Sequence, residues 1–220
     1  MKKYNYKTIP KLLINKEWQT KTDIIINNFK NIRNEMCKTF QELEKQFSLE
    51  KKLKINKFKK NIWYRDQHKN EYGGGESAVL KGNLFEKVGV NISTVSGQFQ
   101  NDFKDKIKGA SDDPRFFATG ISVVAHMFSP FIPAAHFNSR FIVTKNAWFG
   151  GGCDLTPTYD KKKVKNQFHK SLKKFCDKYD KNYYEKYSKW CSEYFFLKHR
   201  NEERGIGGIF FDYLDAENVN

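Results

Sequence analysis

Residues His136 to Lys145 alternate. Phe137, Ser139, Phe141 and Val143 fall on one side of an extended chain, and Asn138, Arg140, Ile142 and Thr144 on the other. A period of two over that length belongs to a strand, and a strand needs neighbours. Phe116–Ala125 supplies one: Ile121, Val123 and Val124 favour extension, with Gly120 as an interruption. Between the two, Pro130 and Pro133 force an irregular crossing. Ala147–Phe149 resumes extension before Gly150-Gly151-Gly152.

The flanking sequence extends the sheet and adds helices. Phe58–Arg65 reads as a strand, and Gly73-Gly74-Gly75 as a turn feeding further strands. It is not a phosphate loop, because G-x-x-x-x-G-K-[ST] is missing. Ala78–Leu80, Leu84–Val88 and Val90–Val95 look like successive short strands of an antiparallel meander, and 98–114 is a polar loop. From Thr22 the period changes. Ile25, Phe29, Ile32, Met36, Phe40, Leu43 and Phe47 form one stripe of a long helix, capped by Thr22 or Asp23. The stripe is expected to pack on the sheet, with a coiled-coil partner as the alternative. Two later helices carry Val164, Phe168, Leu172, Phe175 and Tyr179, then Tyr183, Tyr187, Trp190, Tyr194 and Leu197. Their expected caps are Asp160 and Asn182, and Gly205 is expected to end the second. Ile206–Leu214 is a last strand. The expectation is an arm over 1–21 and a single α/β (α+β) domain over 22–220 with a mainly antiparallel sheet.

Composition narrows the function classes. Twenty Phe and 11 Tyr within 39% hydrophobic residues can build an aromatic core. No apolar run approaches the roughly 20 residues of a membrane span, and the N-terminus lacks the apolar region of a signal peptide. The net charge of +15 attracts anions. The excess is mostly Lys spread along the chain, without a nucleic-acid motif, so a nucleic-acid partner is not expected. Cys37, Cys153, Cys176 and Cys191 form no C-x-x-C pair, which suits reduced thiols in a cytoplasmic setting. Cys153 reads as a small buried residue, because no activating base stands near it in sequence.

The stretch Phe116–Pro157 is densest in residue types that do chemistry. Arg140 must be paired in its apolar setting: a structural salt bridge and a grip on a carboxylate both fit. Asp154, just after three glycines, fits a turn role or a cavity acid. His126 and His136 bracket the Pro-containing crossing, while His169 and His199 come later; no local spacing marks the four as a metal set. Arg200 and Arg204 read as a surface network, with an anion-binding edge as the alternative. These residues suit a carboxylated ligand and name no reaction.

Five segments carry a resemblance. GGGESAVLKGNLFEKVGVNISTVSG (73–97), FFATGISVVAH (116–126), HFNSRF (136–141), WFGGGCDLTPTY (148–159) and KWCSEYFFLKHRNEERGIGGIFFDYLD (189–215) resemble, in order, the oxygen-dependent coproporphyrinogen III oxidases. The resemblance implies oxidative decarboxylation of two propionates of coproporphyrinogen III to vinyl groups, giving protoporphyrinogen IX in haem synthesis. Molecular oxygen is the oxidant, and CO2 and hydrogen peroxide are products. It implies a flat antiparallel sheet covered by helices, a cytoplasmic homodimer, and no organic cofactor. It assigns Ser122 and Asn138-Ser139-Arg140 to substrate, with Arg140 on a propionate. His136 becomes a proton donor and Asp154 a partner of pyrrole N–H groups. His126, His136, His169 and His199 match positions assigned to a divalent metal such as manganese. Two departures stand out. His126-Met127-Phe128-Ser129-Pro130 replaces a His-Pro-x-Asn-Pro pattern. The family also continues past the position of Asn220 with segments expected to close the site, so a shortened member that binds tetrapyrroles without turnover is the alternative.

Overall fold

The computed structural model describes residues 9–65, 72–159 and 162–216. Among these, seven strands form one antiparallel sheet in chain order. They are β1 (Lys59–Tyr64), β2 (Tyr72–Leu80), β3 (Phe85–Gln98), β4 (Arg115–Met127), β5 (Ala134–Val143), β6 (Ala147–Thr156) and β7 (Gly208–Asp215). The helices are α1 (Lys16–Glu50), the short α2 (Asn101–Lys104), α3 (Lys162–Cys176) and α4 (Tyr183–Tyr194). The expected α+β class with a mainly antiparallel sheet is what forms.

The glycines behave differently from expectation. Gly73-Gly74-Gly75 lie inside β2, paired with β3, and are not a turn. Leu84–Val88 and Val90–Val95 are not separate strands: β3 runs through Gly89, which pairs with Val79 and Val124 on its two neighbours. Gly150-Gly151-Gly152 likewise continue β6. Cross-strand pairing holds most of these residues in the strands against glycine's weak intrinsic preference for one, with Gly73, at φ +96°, departing from the extended backbone.

One face of the sheet is dry. Leu80, Val88, Val90, Phe117, Ile121, Val123, Ala125, Phe141 and Val143 meet Ile26 and Phe29 of α1 in one buried cluster. Phe40 of α1 stands edge-on to Phe85 at 5.5 Å. The helix begins earlier than its apolar periodicity indicates. Asn15 caps it, its side chain accepting the Glu17 N–H at 2.8 Å, while Thr22 is buried inside the helix. Residues 9–21 are also not loosely docked, since Ile9, Leu13 and Trp18 belong to the core cluster.

The buried stripe of α1 differs from the apolar one. Ile32 and Leu43 are exposed, and Arg33, Glu44 and Ser48 are buried. Each buried charge has its partner. Arg33 pairs with Glu76 on β2. Glu44, fully buried, accepts the backbone N–H groups of Asn83 (2.6 Å), Leu84 (3.0 Å) and Phe85 (3.4 Å), with the Ser48 hydroxyl at 3.2 Å. The β2–β3 turn is therefore capped by a helix side chain. Gly82 leaves space for it: a Cβ there would overlap the Glu44 carboxylate.

At the other end, α4 runs along edge strand β7. Tyr187 meets Phe211 at 5.4 Å, while Trp190 and Tyr194 meet Phe210 at 5.4 and 4.0 Å. Consecutive strand residues point to opposite faces, so α4 straddles the edge and covers it. Gly205 does not end this helix. The helix stops at Tyr194, and Gly205 lies in the turn before β7 with φ +61°. Asn182 occupies the N-cap position of α4 without a side-chain cap bond. The expected cap Asp160 lies outside the described residues. Phe175 and Tyr179 of the expected α3 stripe are exposed, and Cys176 is buried.

Replacing Glu44 tests the helix-to-turn latch. Glu44→Ala orphans three backbone donors, each worth about 1–3 kcal/mol when left unpaired in the interior. The expected loss is roughly 3–5 kcal/mol in urea unfolding, and a loss below about 1 kcal/mol would remove the latch from this account.

Candidate functional site

The second face of the sheet carries the chemistry. Alternation from the core residues Ile121, Val123 and Ala125 puts Ser122, Val124 and His126 of β4 on this face, where all three are exposed. Register then lines up the neighbours: Ser122 opposite Asn138, Val124 opposite His136, His136 opposite Asp154, and Arg140 between Gly120 and Gly150. Ser122, His126, His136, Asn138, Arg140 and Asp154 therefore share one surface over three adjacent strands. Ser139 does not. It alternates to the core face opposite Ile121, so its side chain is removed from the expected ligand set.

Asp154 is the most enclosed member, 4% exposed. Arg204 grips it with two bonds, Nε to Oδ2 at 3.1 Å and Nη2 to Oδ1 at 2.8 Å. His136 Nδ1 stands 3.5 Å from Oδ2, an ion-pair distance longer than a good hydrogen bond. Burial pushes the Asp154 carboxyl upward, but the contacts with His136 and Arg204 together outweigh it and hold the group below the usual carboxylate range. The Arg204 guanidinium lies 3.6 Å over the Phe195 ring. Arg204, read from sequence as a surface residue, is thus part of the site. Its signal, an Arg in a glycine-rich turn before a strand, says nothing about its partner 50 residues away.

Arg140 is paired as well. Its Nη2 donates to Asp212 Oδ2 at 2.7 Å, and Trp148 Nε1 donates to Asp212 Oδ1 at 3.1 Å. Sequence reading missed Asp212, because only the β6–β7 register brings it to Arg140. Two atoms on this face are buried without a hydrogen bond among the described residues: Asn138 Oδ1, and His136 Nδ1, whose one contact is the 3.5 Å ion pair with Asp154. Orphaned polar atoms beside an open surface are what a polar ligand would satisfy.

The four histidines do not assemble. The His126 and His136 rings lie 6.2 Å apart, nearly perpendicular. His169 is committed elsewhere. Its Nε2 meets the Ile206 carbonyl at 2.7 Å and its Nδ1 the Tyr184 hydroxyl at 2.9 Å. A carbonyl only accepts, so Nε2 carries the proton and Nδ1 is left to accept from Tyr184 in the neutral ring. His199 is exposed in the connection after α4. Among the described residues no three His, Cys, Asp or Glu side chains gather as a metal set. The expected four-histidine metal site does not fit this arrangement.

Cys153 is no nucleophile. Burial first, then the nearby Asp154 charge, pushes its thiol up to about 12. A cavity of about 390 Å³ between α3, α4 and the turn before β7 is lined by Lys165, His169, Tyr184 and Glu203 among others, and shares no residue with the open-face cluster.

The Asp154–Arg204 pair has a pH signature. Because the folded pKa of Asp154 is lowered, its contribution to stability is present above the ordinary Asp value of about 3.9 and is lost as pH falls through the lowered value. The stability gap in urea unfolding between the unsubstituted chain and Arg204→Gln should therefore be full near pH 7 and shrink progressively as pH falls below about 4. A difference independent of pH would contradict the pairing.

Comparison with known proteins bears on the family. The family model for coproporphyrinogen III oxidase matches residues 25–220. The oxygen-dependent coproporphyrinogen-III oxidase of Rickettsia akari (strain Hartford) is 52% identical over 196 residues, covering 89% of this chain and 69% of that protein. The proteins of the same name from Rickettsia africae (strain ESF-5) and Rickettsia bellii (strain OSU 85-389) are each 53% identical over 190 residues, covering 86% of this chain and 67% of theirs. An open-face cluster built from the matched segments, a family match over most of the chain, and identity above half lead to one conclusion: this chain belongs to the coproporphyrinogen III oxidase family.

Proposed function

We propose that this chain converts two propionate side chains of coproporphyrinogen III to vinyl groups, giving protoporphyrinogen IX for haem synthesis with O2 as electron acceptor. The observation that carries this reading is 52% identity over 196 residues to a protein named oxygen-dependent coproporphyrinogen-III oxidase. For each propionate the carboxylate leaves as CO2 and the C–CO2 bonding pair becomes the new C=C bond. The CH2 next to the pyrrole gives up one proton and two electrons. O2 takes those two electrons, that proton and a second proton from solvent to become hydrogen peroxide.

The residues divide the work as follows. Arg140, one arm held by Asp212, offers its remaining N–H groups to a propionate carboxylate; a guanidinium fork suits that planar anion. Asp154 stays ionised under Arg204 and accepts from pyrrole N–H groups. An anion there stabilises positive charge developing on an electron-rich pyrrole. Each carboxylate oxygen can accept more than one bond, so the Arg204 fork leaves capacity for this contact. His136 moves a proton at the same end of the sheet, a role that its 3.5 Å distance from Asp154 supports. Ser122 and Asn138 line the floor beside them. A cytoplasmic homodimer, as the resemblance implies, completes the reading. No helix among the described residues is long and apolar enough to cross a membrane.

Aerobic incubation with coproporphyrinogen III, scored by chromatography of vinyl products, tests the reading. The unsubstituted chain should form protoporphyrinogen IX, and Asp154→Asn and Arg140→Ala should each lower kcat/KM by at least about 100-fold, the scale of one lost charge-stabilising contact. Binding of the substrate without oxygen consumption would replace the enzyme by a tetrapyrrole-binding relative.

A further inference from the structure

Strand β7 is irregular where it meets Arg140. Phe149 pairs with Leu214 and Gly151 with Phe211, so Asp212 and Tyr213 together stand opposite the single residue Gly150. Two residues against one make a β-bulge, which re-aims a side chain and is common beside active sites. Tyr213 has φ +56°, a left-handed backbone that a bulky side chain disfavours. Strain of that kind persists where surrounding contacts over-determine it.

The contacts that hold it are specific. The Trp148 ring stacks on Tyr213 at 5.4 Å. Asp212 Oδ1 accepts both Trp148 Nε1 at 3.1 Å and the Tyr213 N–H at 3.0 Å. Its other oxygen takes Arg140 Nη2 at 2.7 Å. Gly150 lies at the crossing. A Cβ there would stand 2.8 Å from Arg140 Nε and press on Asp212 Oδ1, so the pair needs a glycine at this point. Phe210 lies beneath the guanidinium, 5.8 Å from its centre. The remaining Arg140 N–H groups have no protein partner among the described residues, and the side chain is 33% exposed.

We propose that Asp212, aimed by the β7 bulge and held by Trp148, is the positioning residue for Arg140: it fixes one arm of the guanidinium so that the free N–H groups meet a substrate carboxylate in one orientation. The inference rests on the assignment of Arg140 to a propionate in the functional reading above. The sign of the charge separates placement from affinity. Asp212 is negative, so it opposes an incoming carboxylate and adds nothing to attraction. What it contributes is orientation, and a misplaced reactant loses rate more than binding. A simple staple between β6 and β7 would not need a strained Tyr213 or leave half a guanidinium unsatisfied beside an open face.

The test separates kcat from KM. Asp212→Asn keeps the shape of the side chain and an acceptor for Trp148 but removes the charge that holds Arg140. Trp148→Phe keeps the stack on Tyr213 and removes the N–H that holds Asp212. For aerobic turnover of coproporphyrinogen III by the full chain, Asp212→Asn should lower kcat at least tenfold with KM within threefold. Trp148→Phe should shift the same way by a smaller factor. Arg140→Ala, by contrast, should weaken binding of coproporphyrin III at least tenfold in a fluorescence titration. If Asp212→Asn turns over within twofold of the unsubstituted chain, the role of Asp212 is lost while that of Arg140 stands. A rise in KM matching the fall in kcat/KM, or a loss of both together with the melting temperature in both variants, marks a structural staple and overturns the proposal. If Arg140→Ala binds and turns over normally, or the unsubstituted chain makes no product, the functional reading falls and this inference falls with it.

Discussion

A charge hidden from water must find a partner, and in this chain that obligation joins the parts that sequence separates. Glu44, Arg33 and Asp154 are each less than a tenth exposed. An unpaired ion in such a place would cost several kcal/mol, so each draws a distant segment to itself. Glu44 collects the backbone N–H groups of the β2–β3 turn. Arg33 reaches Glu76 on β2. Asp154 brings the turn before β7 back onto β6 through Arg204. The first two set α1 over the dry face of the sheet. The third determines where β7, and with it Asp212, meets the open face.

The two faces follow from one period. Strands β2 to β6 put apolar residues under α1 at every second position, and what is left over is the opposite face. There the chain places small or polar residues: Gly120, Ser122, Asn138, Gly150 and Gly152 around His136, Arg140 and Asp154. Glycine on both sides of Arg140 removes the side chains that would otherwise fence it in. The site is a floor on rigid strands, and its geometry is as fixed as the sheet's register. That rigidity explains why pairing can be so specific here: Arg140 and Asp212 are 72 residues apart in sequence, yet one bulge decides whether they meet.

Sequence periodicity carried much of this and failed at identifiable points. The alternation of 136–145 told correctly that Asn138 and Arg140 share a side and that Phe141 and Val143 share the other. The same rule, applied strictly, separates Ser139 from Asn138, which the family motif groups together. The stripe of α1 was misplaced because apolar counting cannot see Arg33 and Glu44 as buried; their partners lie 43 and about 40 residues away. The triplet Gly73-Gly74-Gly75 looked like a turn because glycine's intrinsic preference is for turns, whereas cross-strand pairing keeps it within β2. Arg204 and Asp212 were illegible for a related reason. Nothing local distinguishes a paired charge from a solvated one, and only the register of β6 against β7 supplies the pairing. The four histidines show the reverse case: the family resemblance implied a convergence that the chain's topology does not deliver among the described residues.

Capture and placement of an anionic substrate then fall to different parts of the molecule. The net charge of +15 comes from Lys residues spread over the chain, and its attraction decays over about 8 Å at physiological salt. Such a field raises encounter with any polyanion and orients none of them. On the open face itself the charges are already matched, Arg140 by Asp212 and Asp154 by Arg204. Near neutrality in that patch means that a carboxylate gains little there from bulk attraction. It gains only by meeting the N–H groups left free, in the direction that their counter-ions allow. A substrate with four carboxylates and four pyrrole N–H groups offers many misaligned ways to bind a bare cluster of cations. Pairing each functional charge in advance suppresses those ways, because an ion whose partner is in place accepts a second one from fewer directions. The Asp154–Arg204 pair, which satisfies a buried charge in the fold, is therefore also, with Arg140–Asp212, one of the two that narrow how a ligand can sit on it.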